Sequence, residues 1–473
     1  MASLSLLPKA AWDLNKQLRR DVTPVVTLRV NPATAAAVLQ GVMASKSVKR
    51  LLGRTGLPPR LRDLPDSIRS MTLLGVQGQL ELGVLPQHLD SFSLMAAANI
   101  GSSSLAACLN ALPQSVRRLS FSCTTLRHLL SMADVKLPAR LEELELRNIR
   151  ALTALPASLT SIKLAQCRLP LALQLPASLT SVRFDDVFCT RDAFDMKCLP
   201  SLPQQLRKLD LLSLDPSLPV APLPPALLDL YISYDGSHTM AVGSAAQPLA
   251  PLPETLKTIQ VTDYSDSLRP ILGPLPQSLE VLDVQHCREI NSPLGQLPPA
   301  LTALRLGQHF TQALGPRPAQ LRVLDLGTCR HFNVALGALP PALRELRVGD
   351  AFDQPLPPLP STLEVLALGN AFSQPLQRAL PSALRTFEMG DLFNAPVALP
   401  GTLQSLSIGD SYTHLLELPP GLKELRIGQS YTHAVPSLRL AHVRCSQAYP
   451  HAVVSDFVVV WDADSDSDDS DAE

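Results

Sequence analysis

A leucine-proline pair that returns about every 22 residues constrains the fold of this chain more than any other feature. The string Leu-Pro-x-x-Leu, or a close variant, has its proline at positions 65, 86, 113, 138, 156, 176, 203, 224, 253, 276, 298, 318, 340, 360, 381, 400 and 419. Each unit continues as L-x-x-L-x-L, for example Leu279, Leu282 and Val284. Repetition at this period is typical of solenoids, in which similar units stack in a row.

Each unit can be interpreted physically. The last four residues of L-x-x-L-x-L alternate apolar and polar, which predicts a strand with one buried face. The proline before the strand has a fixed φ and no N–H, so it favours an extended segment and excludes helix there. We therefore expect a β-rich solenoid. It would have a parallel strand ladder, irregular or polyproline return segments and a helix-bearing N-terminal cap.

The repeat also divides the chain into regions. We expect an N-terminal cap with a strand and a helix (residues 1–55), an array of about 17 units (56–435), a C-terminal cap (436–461) and a disordered acidic tail (462–473). The widest proline spacing, from residue 224 to 253, predicts a protruding loop.

Two elements are expected within the caps. Residues 25–30 are strand-like, and Asn31-Pro32 predicts the start of a helix over residues 33–52. Residues 457–461, which read FVVVW, predict a closing strand. A terminal cap is expected because the first coil of a solenoid otherwise exposes its apolar end.

The units after about residue 300 carry extra residues behind the strand. They read LTALRLGQHFTQAL, LRELRVGDAFDQPL, LEVLALGNAFSQPL, LRTFEMGDLFNAPV, LQSLSIGDSYTHLL and LKELRIGQSYTHAV. This pattern resembles the FNIP repeat, a relative of the leucine-rich repeat, most clearly over residues 297–435. There Phe393-Asn394-Ala395-Pro396 nearly reproduces the motif that names the family. Earlier units look more like short leucine-rich repeats. The resemblance implies a leucine-rich-repeat-like solenoid (a horseshoe) used for interactions, without an assigned biochemistry.

Charge is unevenly distributed along the chain. The net charge is −1, but residues 462–473 hold seven acids and no base, and residues 1–62 hold eleven Lys or Arg against Asp13 and Asp21. No apolar run approaches the ~18 residues that span a bilayer, so no membrane association is expected. We expect a cytoplasmic protein. A nuclear or organellar address stays an alternative, because residues 22–62 are Arg-rich, Ala-rich and free of acids, as transit peptides are.

The outward middle position of each strand is the candidate partner-binding face. Its selected members are Tyr231, Gln260, Asp283, Arg305, Asp325, Arg347, Glu388 and Arg426. Charges alternate in sign on adjacent strands about 4.8 Å apart. Either the row recognises a mixed-charge protein surface or it is a self-satisfied ladder of side-chain pairs, and both interpretations stay open. It contains no uniform basic stripe, which argues against nucleic-acid binding.

For other columns of residues we predict a structural role, and for two of them a functional alternative stays open. The glycines after the strands (Gly307, Gly327, Gly349, Gly369, Gly390, Gly409 and Gly428) predict a sharp turn, or a shallow groove for a partner. The polar residues behind them (Asp350, Asn370, Asp391 and Asp410) predict turn caps, or a calcium-binding ladder. The aromatic column (Phe310, Phe332, Phe352, Phe372, Phe393, Tyr412 and Tyr431) predicts a core stack.

Cysteine and histidine positions do not predict a metal site. The eight cysteines include no CxxC pair, and Cys167, Cys287 and Cys329 recur at one repeat position, which predicts buried structural thiols rather than disulfides or ligands. Tyr412-Thr-His414 and Tyr431-Thr-His433 predict two stacked histidines, and no third ligand is evident.

The chain lacks the HExxH, GxSxG and phosphate-loop motifs, so we expect no catalytic, cofactor or metal residues and no cofactor. The predicted function is a non-catalytic, monomeric scaffold that binds a protein. The alternative is a substrate-recognition subunit of a ubiquitin-ligase-like complex, although residues 1–60 show no clear F-box pattern. Ser465 and Ser470 are candidate phosphorylation sites within the acidic tail, which is otherwise a solubilising segment.

Overall fold

The computed structural model describes most of the repeat array and a few segments outside it. The described residues are 25–28, 50–53, 60–61, 66–77, 81–82, 85–98, 101–123, 129–170, 173–190, 200–214, 222–234, 251–263, 274–287, 290–291, 293–376, 379–435, 440–446, 449–451 and 455–461. They belong to two compact units, residues 1–227 and 228–473. Residues 33–49 of the helix predicted over 33–52, residues 235–250 of the loop predicted between positions 224 and 253, and the tail lie outside the described residues.

The first unit is a parallel strand ladder. Its strands are β1 (Val25–Leu28), β2 (Arg50–Gly53), β3 (Arg60–Leu61), β4 (Ser70–Gln77), β5 (Glu81–Leu82), β6 (Ser91–Ala98), β7 (Arg118–Cys123), β8 (Leu130–Ser131), β9 (Glu143–Arg147), β10 (Ile149–Arg150), β11 (Ser161–Pro170), β12 (Ser181–Thr190) and β13 (Lys208–Leu214). The ladder runs β1, β2, β4, β6, β7, β9, β11, β12, β13. Short pairings join β8 to β10, β10 to β11, and β3 to β5.

The structure confirms residues 25–28 of the strand expected at residues 25–30, as β1, and corrects two predictions about where helix occurs. Residues 50–53 form β2, so a helix over residues 33–52 cannot include its last residues. One return segment among the described residues is helical, α1 (Ser102–Asn110), although irregular returns were predicted. The physical reason is proline spacing: positions 86 and 113 are 27 apart with no proline between them, which leaves room for a helix.

The second unit is also a parallel ladder, in which every strand pairs with the next one in sequence. Its strands are β14 (Asp229–Tyr234), β15 (Thr258–Asp263), β16 (Val281–Cys287), β17 (Ala303–Arg305), β18 (Val323–Asp325), β19 (Glu345–Arg347), β20 (Val365–Ala367), β21 (Thr386–Glu388), β22 (Ser405–Ser407), β23 (Glu424–Ile427), β24 (Leu440–Ser446) and β25 (Ser455–Trp461). The closing strand expected at residues 457–461 is confirmed within β25.

The Leu-Pro motif closes a tight turn at the entrance to each strand. The carbonyl oxygen of Pro276 accepts a hydrogen bond from the N–H of Leu279 at 3.1 Å. The next two N–H groups, of Glu280 and Val281, both donate to the carbonyl oxygen of Lys257 in the preceding coil, at 2.8 and 2.9 Å. The motif therefore marks the point at which each coil is hydrogen-bonded onto its neighbour.

A hydroxyl two positions after the proline adds a second connection between coils. Thr402 Oγ1 lies 2.7 Å from the carbonyl oxygen of Ser382 and 2.9 Å from that of Leu384. Ser158, Ser278 and Thr362 make the same pair of contacts. Because a hydroxyl carries one proton, the two carbonyl oxygens share one hydrogen bond, which contributes about 1 kcal/mol to the free energy of unfolding.

The core consists of stacked columns of identical positions. Leu301, Leu304 and Leu306 are fully buried, and the corresponding leucines of the other coils are buried with them. The predicted aromatic stack is confirmed: adjacent rings from Phe310 to Tyr431 have centroids 6.0–6.4 Å apart. Among the described residues no helix is both long and apolar enough to cross a bilayer.

The glycine column has a different cause from the one predicted. None of the seven has a positive φ, so the column does not exist to permit a left-handed turn. A Cβ built on Gly390 would instead lie 1.8 Å from the carbonyl oxygen of Gly369, and one on Gly409 would lie 2.0 Å from that of Gly390. The glycines are required because the backbones of adjacent coils touch at this position. Gly327 is an exception, since the nearest contact of its Cβ would be the Asp325 carboxylate at 3.1 Å.

Replacing one contact glycine tests this explanation. We expect Gly390→Ala to lower the free energy of unfolding by about 2 kcal/mol or more, because the new methyl meets backbone rather than a movable side chain. Gly401→Ala is the matched control: its Cβ would meet nothing within 4 Å. Urea denaturation of both variants measures the effect. Equal stability of the two would contradict close backbone contact as the cause.

Candidate functional site

The predicted partner-binding residues lie in one row across the second unit. Tyr231 is in register with Gln260, Gln260 with Asp283, Asp283 with Arg305, Arg305 with Asp325, and Asp325 with Arg347. Beyond Arg347 the register continues through Ala367, Glu388, Ser407 and Arg426. The strand spacing therefore places these side chains one per coil, about 4.8 Å apart.

The row is less exposed than the sequence predicts. Asp283 is buried, at 9% exposure, and Ala367 is buried as well, while most of the others are half-buried and Arg426 is exposed. The expectation that the middle position of every strand is exposed was therefore wrong at Asp283 and at Ala367. Side chains on adjacent strands cover one another, so a short residue such as aspartate is shielded by a longer neighbour such as Arg305.

Only some of the oppositely charged neighbours in the row form ion pairs with each other. Arg305 Nη1 lies 3.6 Å from Asp283 Oδ2, as the alternation suggests. Among the described residues, however, Asp325 forms no ion pair; its Oδ1 accepts the N–H of Gly327 at 2.9 Å. The carboxylate of Asp325 therefore caps its own turn instead of pairing with Arg347 on the next strand.

Arg347 forms its ion pairs with two glutamates. Its Nε lies 2.8 Å from Glu345 on the same strand, and its Nη1 lies 3.2 Å from Glu388 two strands away. The guanidinium reaches Glu388 because Ala367, on the strand between, carries only a methyl group. Burial lowers the pKa of Arg347, but the Glu345 hydrogen bond and the charges of both glutamates outweigh burial and raise it overall.

The two ends of the row carry an uncharged contact and a pair of cations. At one end, Tyr231 Oη lies 3.4 Å from Thr262 Oγ1. At the other end, Arg426 on β23 is in register with Arg444 on β24, and both are exposed. The sequence interpretation missed Arg444 because the repeat motif is degraded after residue 435, so its strand position could not be aligned.

Two members of the polar column behind the glycines, Asp391 and Asp410, cap the neighbouring coil. Asp410 Oδ1 accepts the N–H of Gln429 at 3.1 Å, and Asp391 accepts that of Asp410 in the same way. Burial and then the charge of Asp410 raise the pKa of Asp391. Among the described residues no group of three or more His, Cys, Asp or Glu side chains is arranged to hold a metal ion.

A second polar column, which the sequence interpretation did not single out, follows the aromatic residues. Asn291, Asn333, Asp353 and Asn394 each accept the N–H of the equivalent residue one coil on, at 2.9–3.1 Å. The hydrogen bond from the N–H of Ser373 lowers the pKa of Asp353. The signal was present in the FNIP-like spacing, in which Asn or Asp follows the aromatic residue.

The two predicted Tyr-x-His pairs are joined by a third. Tyr412 and His414 pack edge to face with ring centroids 5.7 Å apart, Tyr431 and His433 at 5.4 Å, and Tyr449 and His451 at 5.7 Å. The ring Nε2 of each histidine lies 2.8–3.2 Å from a backbone carbonyl oxygen of the preceding coil. The third pair was missed because Pro450 replaces threonine.

The recurring cysteines are buried thiols, as predicted. Cys167, Cys287 and Cys329 are fully buried, and their Sγ atoms lie 3.1–3.6 Å from backbone carbonyl oxygens. Burial raises the pKa of Cys167 to about 11 and that of Cys329 to about 12. These groups stabilise coils and are poor nucleophiles.

Comparisons with known proteins were made for the whole chain. No family model matches it, and no curated protein matches it. Among solved structures, the circular leucine-rich-repeat protein CroV588 is 19% identical with a TM-score of 0.49, covering 88% of this chain and 73% of that one. YopM from Yersinia enterocolitica WA-314 is 22% identical with a TM-score of 0.47, covering 96% and 98%. YopM from Yersinia pestis is 19% identical with a TM-score of 0.39, covering 75% and 97%.

These similarities are low, so the assignment of the fold depends on the chain's own ladders, buried leucines and repeat period. The chain folds as a leucine-rich-repeat-type solenoid. The more specific FNIP assignment stays a prediction. Ser465 and Ser470 lie outside the described residues, as do Cys198 and most of residues 1–62.

The raised thiol pKa values predict low reactivity. Since a thiol whose pKa is about 11 or 12 stays protonated near pH 8, Cys167 and Cys329 should resist iodoacetamide in the folded chain. In urea, where a thiol ionises near about 8.5, both should be alkylated. Peptide mass spectrometry after timed labelling measures this. Rapid alkylation of either cysteine in the folded chain would show that its coil is open.

Proposed function

We propose that the chain is a non-catalytic scaffold that binds a protein partner on the strand-lined face of its second unit. The observation that carries the proposal is the contrast between inward and outward positions. Inward positions repeat leucine, phenylalanine or glycine because the packing permits little else. The outward row varies freely, through Gln260, Asp283, Arg305, Ala367 and Ser407.

The chemistry of the row indicates the class of partner. Half-exposed side chains of both signs, spaced regularly on a stiff ladder, match a folded protein surface of mixed charge better than a polyanion or a small molecule. The pairing of Arg347 with Glu345 and Glu388 holds these groups in place before binding, which lowers the entropy lost on association.

Two finer assignments belong to the same proposal. We infer an FNIP-type array over residues 297–435, supported by the aromatic stack and the Asn/Asp column at the motif positions. We also infer a reducing, cytoplasmic environment, supported by free buried cysteines among the described residues, including Cys167, Cys287 and Cys329.

Exchanging an ion pair tests the binding face without removing it. In the double variant Asp283→Arg, Arg305→Asp the attraction is kept but the sign at each coil is reversed. We expect affinity capture with the full-length variant to recover the partner at least about tenfold less well, because like charges now oppose each other across the interface. Quantitative mass spectrometry of the captured proteins measures the loss.

The control for this experiment is Glu417→Arg, which reverses an exposed charge on a return segment. It should leave capture unchanged. If the exchanged variant and the control recover the same partners in equal amounts, the row is a structural ladder and does not bind.

A further inference from the structure

The first unit carries two cations side by side on the outward face of its ladder. Lys163 on β11 is in register with Arg183 on β12, and both side chains are exposed. Two positions earlier on the same strands, Ser161 is in register with Ser181, and both are half-buried. Because every second residue of a strand points to the same side, the four residues share one face. They are called the cation patch below.

The two cations are not paired with acids of the protein. Among the described residues, neither the Lys163 nor the Arg183 side chain forms an ion pair or a hydrogen bond. Asp210, in register beyond Arg183, is buried and lies 3.9 Å from Lys208 Nζ. Asp185, two residues further along β12, accepts a hydroxyl hydrogen bond at 2.9 Å. Like charges opposite one another on adjacent strands are destabilising, so an anion over the two cations would be favoured.

The donors of the cation patch match a phosphoryl group. The hydroxyls of Ser161 and Ser181 make no hydrogen bond within the described part of the chain, so both can donate to a ligand. A phosphorylated side chain carries between about 1.5 and 2 negative charges at pH 7 and offers three acceptor oxygens. Lysine and arginine bind such oxygens through charge-assisted hydrogen bonds. Two cations and two hydroxyls therefore match a phosphoryl group in charge, whereas a single carboxylate would leave one cation without a counter-charge.

The strand beside the patch restricts what can lie next to the anion. Glu143 and Glu145 on β9 are exposed and in register with Ser161 and Lys163. Neither glutamate forms an ion pair among the described residues. Their carboxylates would repel a second phosphate, which disfavours a nucleic acid, in which each phosphate is followed by another. They would attract a cation of the ligand.

We propose that the cation patch binds a phosphorylated serine or threonine of a protein partner, with a basic residue of the same segment over Glu145. The centre of the patch lies one and a half strand spacings from Glu145, which is about 7 Å. Two residues of extended chain span about the same distance, and their side chains point to the same side. The segment therefore carries its basic residue two positions from the phosphorylated one and crosses β9, β11 and β12.

The test uses the full-length chain and three fluorescein-labelled peptides, with binding measured by fluorescence anisotropy. The first peptide reads Gly-Ala-Arg-Ala-phosphoserine-Ala-Gly, the second has unmodified serine, and the third has alanine in place of arginine. We expect the first peptide to bind at least about tenfold more tightly than the second, because the phosphoryl group supplies the charge that the patch lacks. It should bind about threefold more tightly than the third, as one exposed ion pair predicts.

Substitutions in the chain locate the site. Lys163→Ala with Arg183→Ala should weaken binding of the first peptide at least about tenfold. Lys136→Ala is the matched control, an exposed cation on the return segment before β9, and should change binding less than about twofold. Glu145→Gln should remove the preference for the arginine peptide over the alanine peptide. Thermal unfolding by circular dichroism confirms folding, and the single variants Lys163→Gln and Arg183→Gln replace the double variant if it unfolds.

Several results would overturn the proposal. Equal binding of the phosphorylated and unmodified peptides would remove the site, and an equal loss with Lys136→Ala would leave only non-specific attraction. An unchanged arginine preference in Glu145→Gln would contradict the assigned position of the segment. Inorganic phosphate that displaced the labelled peptide as efficiently as the unlabelled peptide does would assign the patch to a free anion. Tighter binding of a single-stranded thymidine oligonucleotide would assign it to nucleic acid.

The cation patch lies in the first unit, whereas the proposed binding face lies in the second. The peptide experiment uses no residue of the second unit's row and no captured partner. Failure of one proposal therefore leaves the other to be judged by its own experiment.

Discussion

The structure depends on backbone hydrogen bonding between one coil and the next. The two N–H groups that follow each Leu-Pro-x-x-Leu turn donate to a single carbonyl of the preceding coil, as at Lys257. That contact brings equivalent positions of adjacent coils to a spacing of about 4.8 Å. Every other feature must then be compatible with that distance, from the stacked rings to the glycines whose backbones touch.

Features that one coil must repeat could be predicted from the sequence. The strands, the buried leucines, the aromatic stack and the buried cysteines all recur at fixed offsets from the proline, so a single sequence contains many independent copies of the same signal. The helix α1 was not predicted because it occurs in one long coil and its signal is therefore not repeated. The glycine column was found, but its cause was not, because contact between backbones leaves no separate mark in the sequence.

The candidate site was less predictable because each of its side chains has several possible interaction partners within reach. The position of Arg347 in the row followed from the repeat, but its pairing with Glu388 depended on the small size of Ala367 between them. Arg317 is a comparable case. It stands where most units have leucine, and its Nη2 donates to the carbonyl oxygens of Leu336 and, at 2.7 Å, of Ala338. Such choices depend on side-chain reach, which the repeat pattern does not encode.

The hydroxyl contacts to the preceding coil make each unit chemically interchangeable with its neighbours. Thr362 and Thr402 meet different coils through the same two types of carbonyl contact. After loss or duplication of one whole period, the coils on either side would therefore form the same hydroxyl-to-carbonyl hydrogen bonds. A single-residue insertion inside a strand would instead shift the residues that follow it in that coil out of their columns. We therefore expect such an array to gain or lose units in steps of a complete coil, which lengthens or shortens its outward row.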